Sequence, residues 1–142
     1  MSFDLKHLNL IDLLNERHIK LKKITENLWN ENSDIKLSNS EWFIMVRIYN
    51  KEPTIAYISR NVDISRQATH KFIKQLASKG LVEISDAQDN KKEKSIRLTE
   101  LGETCYEKNE ALKADLERKI ADNIGDDQLQ LLADILKSDW GL

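Results

Sequence analysis

The sequence predicts a mainly α-helical fold carrying one small β-hairpin. Three observations point there. The 142 residues include four glycines and one proline, a composition that favours long helices over sheet. Apolar residues recur at steps of three and four along most of the chain. Only Leu81, Val82 and Ile84, and later Ile96-Arg97-Leu98, have the β-branched, alternating character of paired strands. A chain of this length buries roughly 70% of its unfolded surface, enough for one compact domain without a disulfide or metal.

Each element has its own justification. Residues 5–31 predict a long helix, with Ile11, Leu14, His18, Leu21, Thr25 and Leu28 on a seam of coiled-coil spacing. Leu10, Leu13 and Ile24 widen the apolar area, so a partner chain is expected to cover one side. Ser38 and Glu41 have the S-x-x-E spacing of a capping box, and Leu37 and Trp42 that of a hydrophobic staple, placing a helix over 38–49. In it Trp42 is expected as a core anchor, with Phe43, Val46 and Ile48 continuing inward. Pro53 closes a turn and Thr54 caps a short helix to about Asn61, with Ile55, Ile58 and Val62 on its buried side. Ser65 caps the next helix, which runs to about Lys79 and stops at Gly80. Two short helices joined by so brief a turn form a helix-turn-helix unit. The hairpin follows, and residues 85–95, SDAQDNKKEKS, form its charged tip with no core pattern. Thr99 caps a helix in which Leu112, Leu116, Ile120 and Ile124 recur, and Gly125 breaks it. A last helix begins at Asp126 or Asp127, with Leu129, Leu132, Ala133, Leu136 and Trp140 on one stripe.

Charge is distributed unevenly over these elements. The net charge is −2, yet residues 59–98 hold nine Lys/Arg against five Asp/Glu, a balance of +4. At 100° per residue, the helix from Ser65 to Lys79 turns Thr69, Ile73 and Leu76 to one side and Gln67, Lys71, Lys74 and Ser78 to the other. Arg66 and His70 flank that polar face. A docked apolar stripe with a free cationic face suits a helix lying in the DNA major groove. Arg66 has the fork for guanine, Gln67 the amide for adenine, and Lys71 and Lys74 the point charges for phosphate. Ser65 stands at the helix N-terminus, where backbone donors favour phosphate. The expected contact set is therefore Ser65, Arg66, Gln67, Thr69, His70, Lys71 and Lys74, joined by Lys91, Lys92, Lys94 and Arg97 of the hairpin. A basic hairpin beside a reading helix can reach the neighbouring backbone or minor groove.

The segments LSNSEW (37–42), TIAYISRNVDISRQATHKFIKQLASKGLVEI (54–84) and LTELG (98–102) resemble the MarR family of bacterial winged helix-turn-helix regulators. The resemblance is strongest in SRxxxxxxIxxLxxKGLV and the later I-x-L-T-x-x-G. It implies a DNA-binding lobe over 37–102, with dimerisation helices over 1–36 and 103–142. It also implies a homodimer on a pseudo-palindromic double-stranded operator, usually repressing, with release by a small-molecule effector. The chain departs from the family pattern in its wing. Asn90 stands at the usual acidic position, and Lys91 and Lys92 replace arginines. Lys71 likewise stands where a second arginine is common. Lysine lacks the arginine fork, so the wing contact is expected to be weaker or less selective.

Other function classes find little support. Cys105 is the single cysteine, so no internal disulfide forms; it is read as a packing residue of a protein in a reducing cytoplasm. No apolar run of membrane-spanning length exists, and MSFDLKHLNL lacks the features of an export signal. No nucleophile elbow, P-loop, CxxC or H-E-x-x-H pattern is present, so neither catalysis nor a cofactor or metal is expected. His7 and His18 stand about 16 Å apart along the predicted helix, too far to share an ion. The competing expectations are a winged-helix module that binds protein, and a ligand-binding protein without DNA activity.

Overall fold

In a computed structural model, residues 4–62, 64–87 and 90–142 are described, apart from the side chains of residues 87 and 90–92. The described residues form α1 (Leu10–Asn32), α2 (Asn39–Ile48), α3 (Ile55–Asn61), α4 (Arg66–Ser78), β1 (Val82–Ala87), β2 (Asn90–Leu98), α5 (Glu100–Ile124) and α6 (Asp126–Lys137). This is the expected mainly α fold with a hairpin wing. The chain divides into two compact units, residues 1–107 and 108–142.

In the first unit, local capping starts each helix of the helix-turn-helix region. The capping box of α2 is complete: Ser38 accepts from the Glu41 amide, and Glu41 accepts from the Ser38 amide at 3.0 Å. Thr54 accepts from the Tyr57 amide at 3.1 Å, and Ser65 from the Ala68 amide at 3.1 Å. The C-terminus of α4 closes as a Schellman turn: the Leu81 amide donates to the Leu76 carbonyl and the Gly80 amide to that of Ala77. Gly80 takes the left-handed φ of 77° that this turn requires.

The core of this unit joins Trp29 to Leu37, Ile44, Met45, Ile48, Ile58, Ile73, Leu76, Leu81 and Ile96, all essentially inaccessible to solvent. Trp29 meets Trp42 edge-on, centroids 5.0 Å apart and rings at 83°, the geometry favoured by ring quadrupoles. That contact sets the rotation of α2. Phe43 and Val46, expected to face inward, are each 44% exposed, because Ile44, Met45 and Ile48 occupy the inner phase instead.

Two boundaries also differ from expectation. α1 begins at Leu10 because the Asn9 side chain accepts from the Asp12 amide at 2.8 Å and caps it there. His7 therefore precedes the helix. The hairpin ladder runs well into the polar stretch, pairing Val82 with Leu98, Ile84 with Ile96 and Asp86 with Lys94. Backbone pairing needs no apolar side chains, and a Ser85–Ser95 hydroxyl bond of 3.0 Å supports it. Residues ahead of α3 join the sheet: Thr54 bridges Ser95, and the Ile96 amide donates to the Pro53 carbonyl at 2.9 Å.

The second unit holds the later turns of α5 and all of α6. Along α6, Leu131, Leu132, Ile135 and Leu136 are exposed. Trp140 lies beyond the helix, its indole N–H donating to the Ile135 carbonyl at 2.7 Å. No described helix is long and apolar enough to cross a membrane.

Candidate nucleic-acid interface

α4 presents the face that its periodicity predicts. Thr69, Ile73 and Leu76 are buried, while Arg66, Gln67, His70, Lys71, Lys74 and Ser78 are exposed. Ser65, Gln67, His70, Lys71, Lys74 and Ser78 line one open surface. Three formal positive charges thus stand free on one helix, with no described carboxylate paired to Arg66, Lys71 or Lys74. Ser65 uses its hydroxyl oxygen as the helix cap and is itself exposed, leaving the hydroxyl proton available to a phosphate oxygen.

Thr69 needs correction as a contact residue. It is fully buried, and its hydroxyl donates to the Ser65 carbonyl at 2.9 Å. With the proton committed and the side chain sealed by the core, it supports the helix from beneath.

Two contacts brace the helix-turn-helix unit, and sequence reasoning anticipated neither. At the approach, Arg47 of α2 donates through Nε to the Asn61 carbonyl at 2.6 Å and through Nη1 to the Phe43 carbonyl at 3.1 Å. It thereby satisfies an end carbonyl of α3 just ahead of the turn. At the far end, Lys79 Nζ reaches Glu41 Oε2 at 2.6 Å. The capping box identified one role of Glu41, but its second oxygen serves a residue 38 positions away. No local spacing encodes that.

The wing residues divide. Arg97 donates through Nε and Nη2 to Glu83 Oε2, at 3.0 and 2.6 Å. The hydrogen bond to Glu83, and then its negative charge, raise the pKa of Arg97. Lys94 pairs with Asp86. Both expected DNA contacts are thus paired within the hairpin. Lys91 and Lys92 belong to β2, but their side chains lie outside the described residues.

Known proteins share this fold. The Winged helix DNA-binding domain family matches residues 37–102. A solved MarR is similar at 12% identity and TM-score 0.84, covering 96% of this chain and 91% of the other. A mutant MarR from E. coli, complexed with operator DNA, is similar at 21% identity and TM-score 0.75, over 95% of this chain and 97% of that one. NadR in complex with 4-hydroxyphenylacetate is similar at 20% identity and TM-score 0.73, with coverage of 96% and 95%. No curated protein matches the chain in sequence.

Proposed function

The chain carries a winged-helix domain within the fold of the MarR-family transcriptional regulators, and on that premise we propose that it is a dimeric, sequence-specific DNA-binding repressor released by a small ligand. The matching domain is a DNA-binding one, and a transcriptional regulator, PA4135, has the same fold, which supports a regulator in place of an enzyme. The observation that carries the proposal is the row Arg66, Gln67, His70, Lys71 and Lys74: exposed, cationic, and mounted on a helix whose opposite side is locked into the core. A helix about 10–12 Å across fits the major groove, where Arg66 and Gln67 read base edges and Lys71 and Lys74 hold phosphates.

Dimerisation through residues 1–36 and 103–142 is supported by the apolar side chains left exposed in each unit. Leu10, Ile11, Ile19 and Leu21 line α1, and Leu131, Leu132, Ile135 and Leu136 line α6. Two subunits bring two copies of α4 to a pseudo-palindromic operator, with half-sites about one helical turn apart. Release by a small molecule rests on the ligand complex of NadR. The protein acts where the chromosome lies, in the cytoplasm.

Salt titration tests the proposal. If each subunit makes roughly three to five phosphate contacts, log affinity falls against log salt with a slope of about −5 to −9. Lys74→Ala weakens all duplexes alike, and Arg66→Ala relaxes preference at one base per half-site. A slope near zero, or equal binding by a variant with Lys71 and Lys74 both reversed to glutamate, refutes it.

A further inference from the structure

The wing is electrically unlike the helix beside it. Residues 82–98 hold four Lys/Arg, namely Lys91, Lys92, Lys94 and Arg97, against Glu83, Asp86, Asp89 and Glu93, and so carry no net charge. The described side chains show how two of those charges cancel. Glu83 stands directly across the ladder from Arg97, and Asp86 directly across from Lys94. Each couple is joined by an ion pair. Positions 83 and 86 have opposite parity along the strand, so the two pairs occupy opposite faces of the hairpin. Neither face of the hairpin's shaft therefore offers an unpaired cation among the described side chains.

We propose that Glu83 and Asp86 are negative determinants of DNA affinity, holding Arg97 and Lys94 in cross-strand pairs so that the wing shaft adds no net phosphate-neutralising charge. The inference rests on the DNA-binding function proposed above and deepens it. Exposed ion pairs of this kind contribute little to folding, so their main consequence is electrostatic. A phosphate approaching Arg97 meets the Glu83 carboxylate within 3 Å of the guanidinium. The pair acts as a dipole, whose field falls off faster than that of a free cation. Counterion release scales with the charge neutralised on DNA, and a compensated pair neutralises none. Grip then falls to α4, where Arg66, Lys71 and Lys74 have no ion-pair partner among the described residues. Tight binding becomes conditional on what α4 reads, because the sequence-indifferent part of the affinity is held down.

The experiment measures affinity of the full-length protein for a labelled random-sequence duplex between about 50 and 200 mM salt. Glu83→Gln frees one cation per subunit and two per dimer, so the slope should steepen by about 2, with tighter binding at the low-salt end. Asp86→Asn should do the same from the other face, and it serves alone if Glu83→Gln fails to fold. Arg97→Gln should abolish the gain in the Glu83→Gln background, and in the otherwise unaltered protein it should move the slope less than Lys74→Ala does. Lys74→Ala should flatten the slope in every background. A steep slope unmoved by both carboxylate variants overturns this inference alone, as does an Arg97→Gln loss equal to that of Lys74→Ala. A flat slope for the unaltered protein overturns the DNA-binding function and this inference together.

Discussion

Lys79 Nζ lies 2.6 Å from Glu41 Oε2 and 2.7 Å from the Lys36 carbonyl oxygen, tying the last turn of α4 to the first turn of α2. The other Glu41 oxygen accepts from the Ser38 amide and hydroxyl, at 3.0 and 3.1 Å. One carboxylate thus caps a helix and anchors the end of the cationic one. The two partners differ in burial: the Glu41 side chain is 4% exposed, that of Lys79 31%. Removing the lysine strands a buried charge, whereas removing the carboxylate charge leaves an ammonium that turns toward water. Lys79→Met should therefore cost about 2–4 kcal/mol, and Glu41→Gln about 1–2 kcal/mol. Urea midpoints of the two variants check the order, and equal losses would contradict it.

Gly102 sits where α5 crosses the start of the wing. A Cβ there would lie 2.1 Å from the Leu81 carbonyl oxygen and 3.3 Å from Leu98 Cβ. Backbone must move to admit it, endangering the 3.0 Å bond from the Thr99 amide to that same Leu81 carbonyl. Gly102→Ala should cost about 3 kcal/mol, the upper part of the range for overpacking. Gly80→Ala meets only an ordinary contact, Leu101 Cδ2 at 4.0 Å, and so incurs chiefly the penalty of a left-handed backbone, about 1–2 kcal/mol. Thermal melts should rank Gly102→Ala below Gly80→Ala.

Thr69→Val separates support from contact. The substitution removes one buried hydrogen bond, the one to the Ser65 carbonyl, and should lower stability by about 1 kcal/mol. The salt slope and base preference of DNA binding should stay unchanged, because the methyl replaces a hydroxyl that faces the core. A shift in base preference with stability intact would return Thr69 to the contact set.

Tyr49 stacks on Tyr106 at a centroid distance of 4.1 Å, and its hydroxyl donates to Glu107 at 3.2 Å. Burial raises its pKa above the ordinary 10.0, and the hydrogen bond to Glu107 and the charges of Glu107 and Glu103 raise it further. The folded state therefore favours the neutral phenol. Its contribution to stability is fully present below the unfolded pKa and is lost as pH rises through the higher folded value. Urea midpoints at about pH 8 and pH 11 should show an alkaline loss in the unaltered protein that Tyr49→Phe reduces. An identical loss in the variant would assign the alkaline sensitivity elsewhere.

Much of this architecture was legible because its causes are local. Ser38 with Glu41, Thr54 and Ser65 each cap a helix through an amide three residues ahead. Gly80 ends α4 by its own backbone freedom. The inward and outward sides of α4 follow from helical pitch alone, which is why Arg66, Gln67, His70, Lys71 and Lys74 stand exposed as expected. The contact set erred at Thr69 by including a residue that the same pitch had already turned inward.

The sequence by itself determined where α2, α3 and α4 start, where α4 stops, and which side of α4 carries charge, since those depend on groups within one turn of each other. Tertiary structure alone decided that Phe43 and Val46 face outward, that Lys79 finds Glu41, and that Glu83 and Asp86 hold Arg97 and Lys94. Each of those outcomes turns on the distance between side chains far apart in the chain or on opposite strands. Such distances exist only once the core around Trp29 and Ile44 has closed.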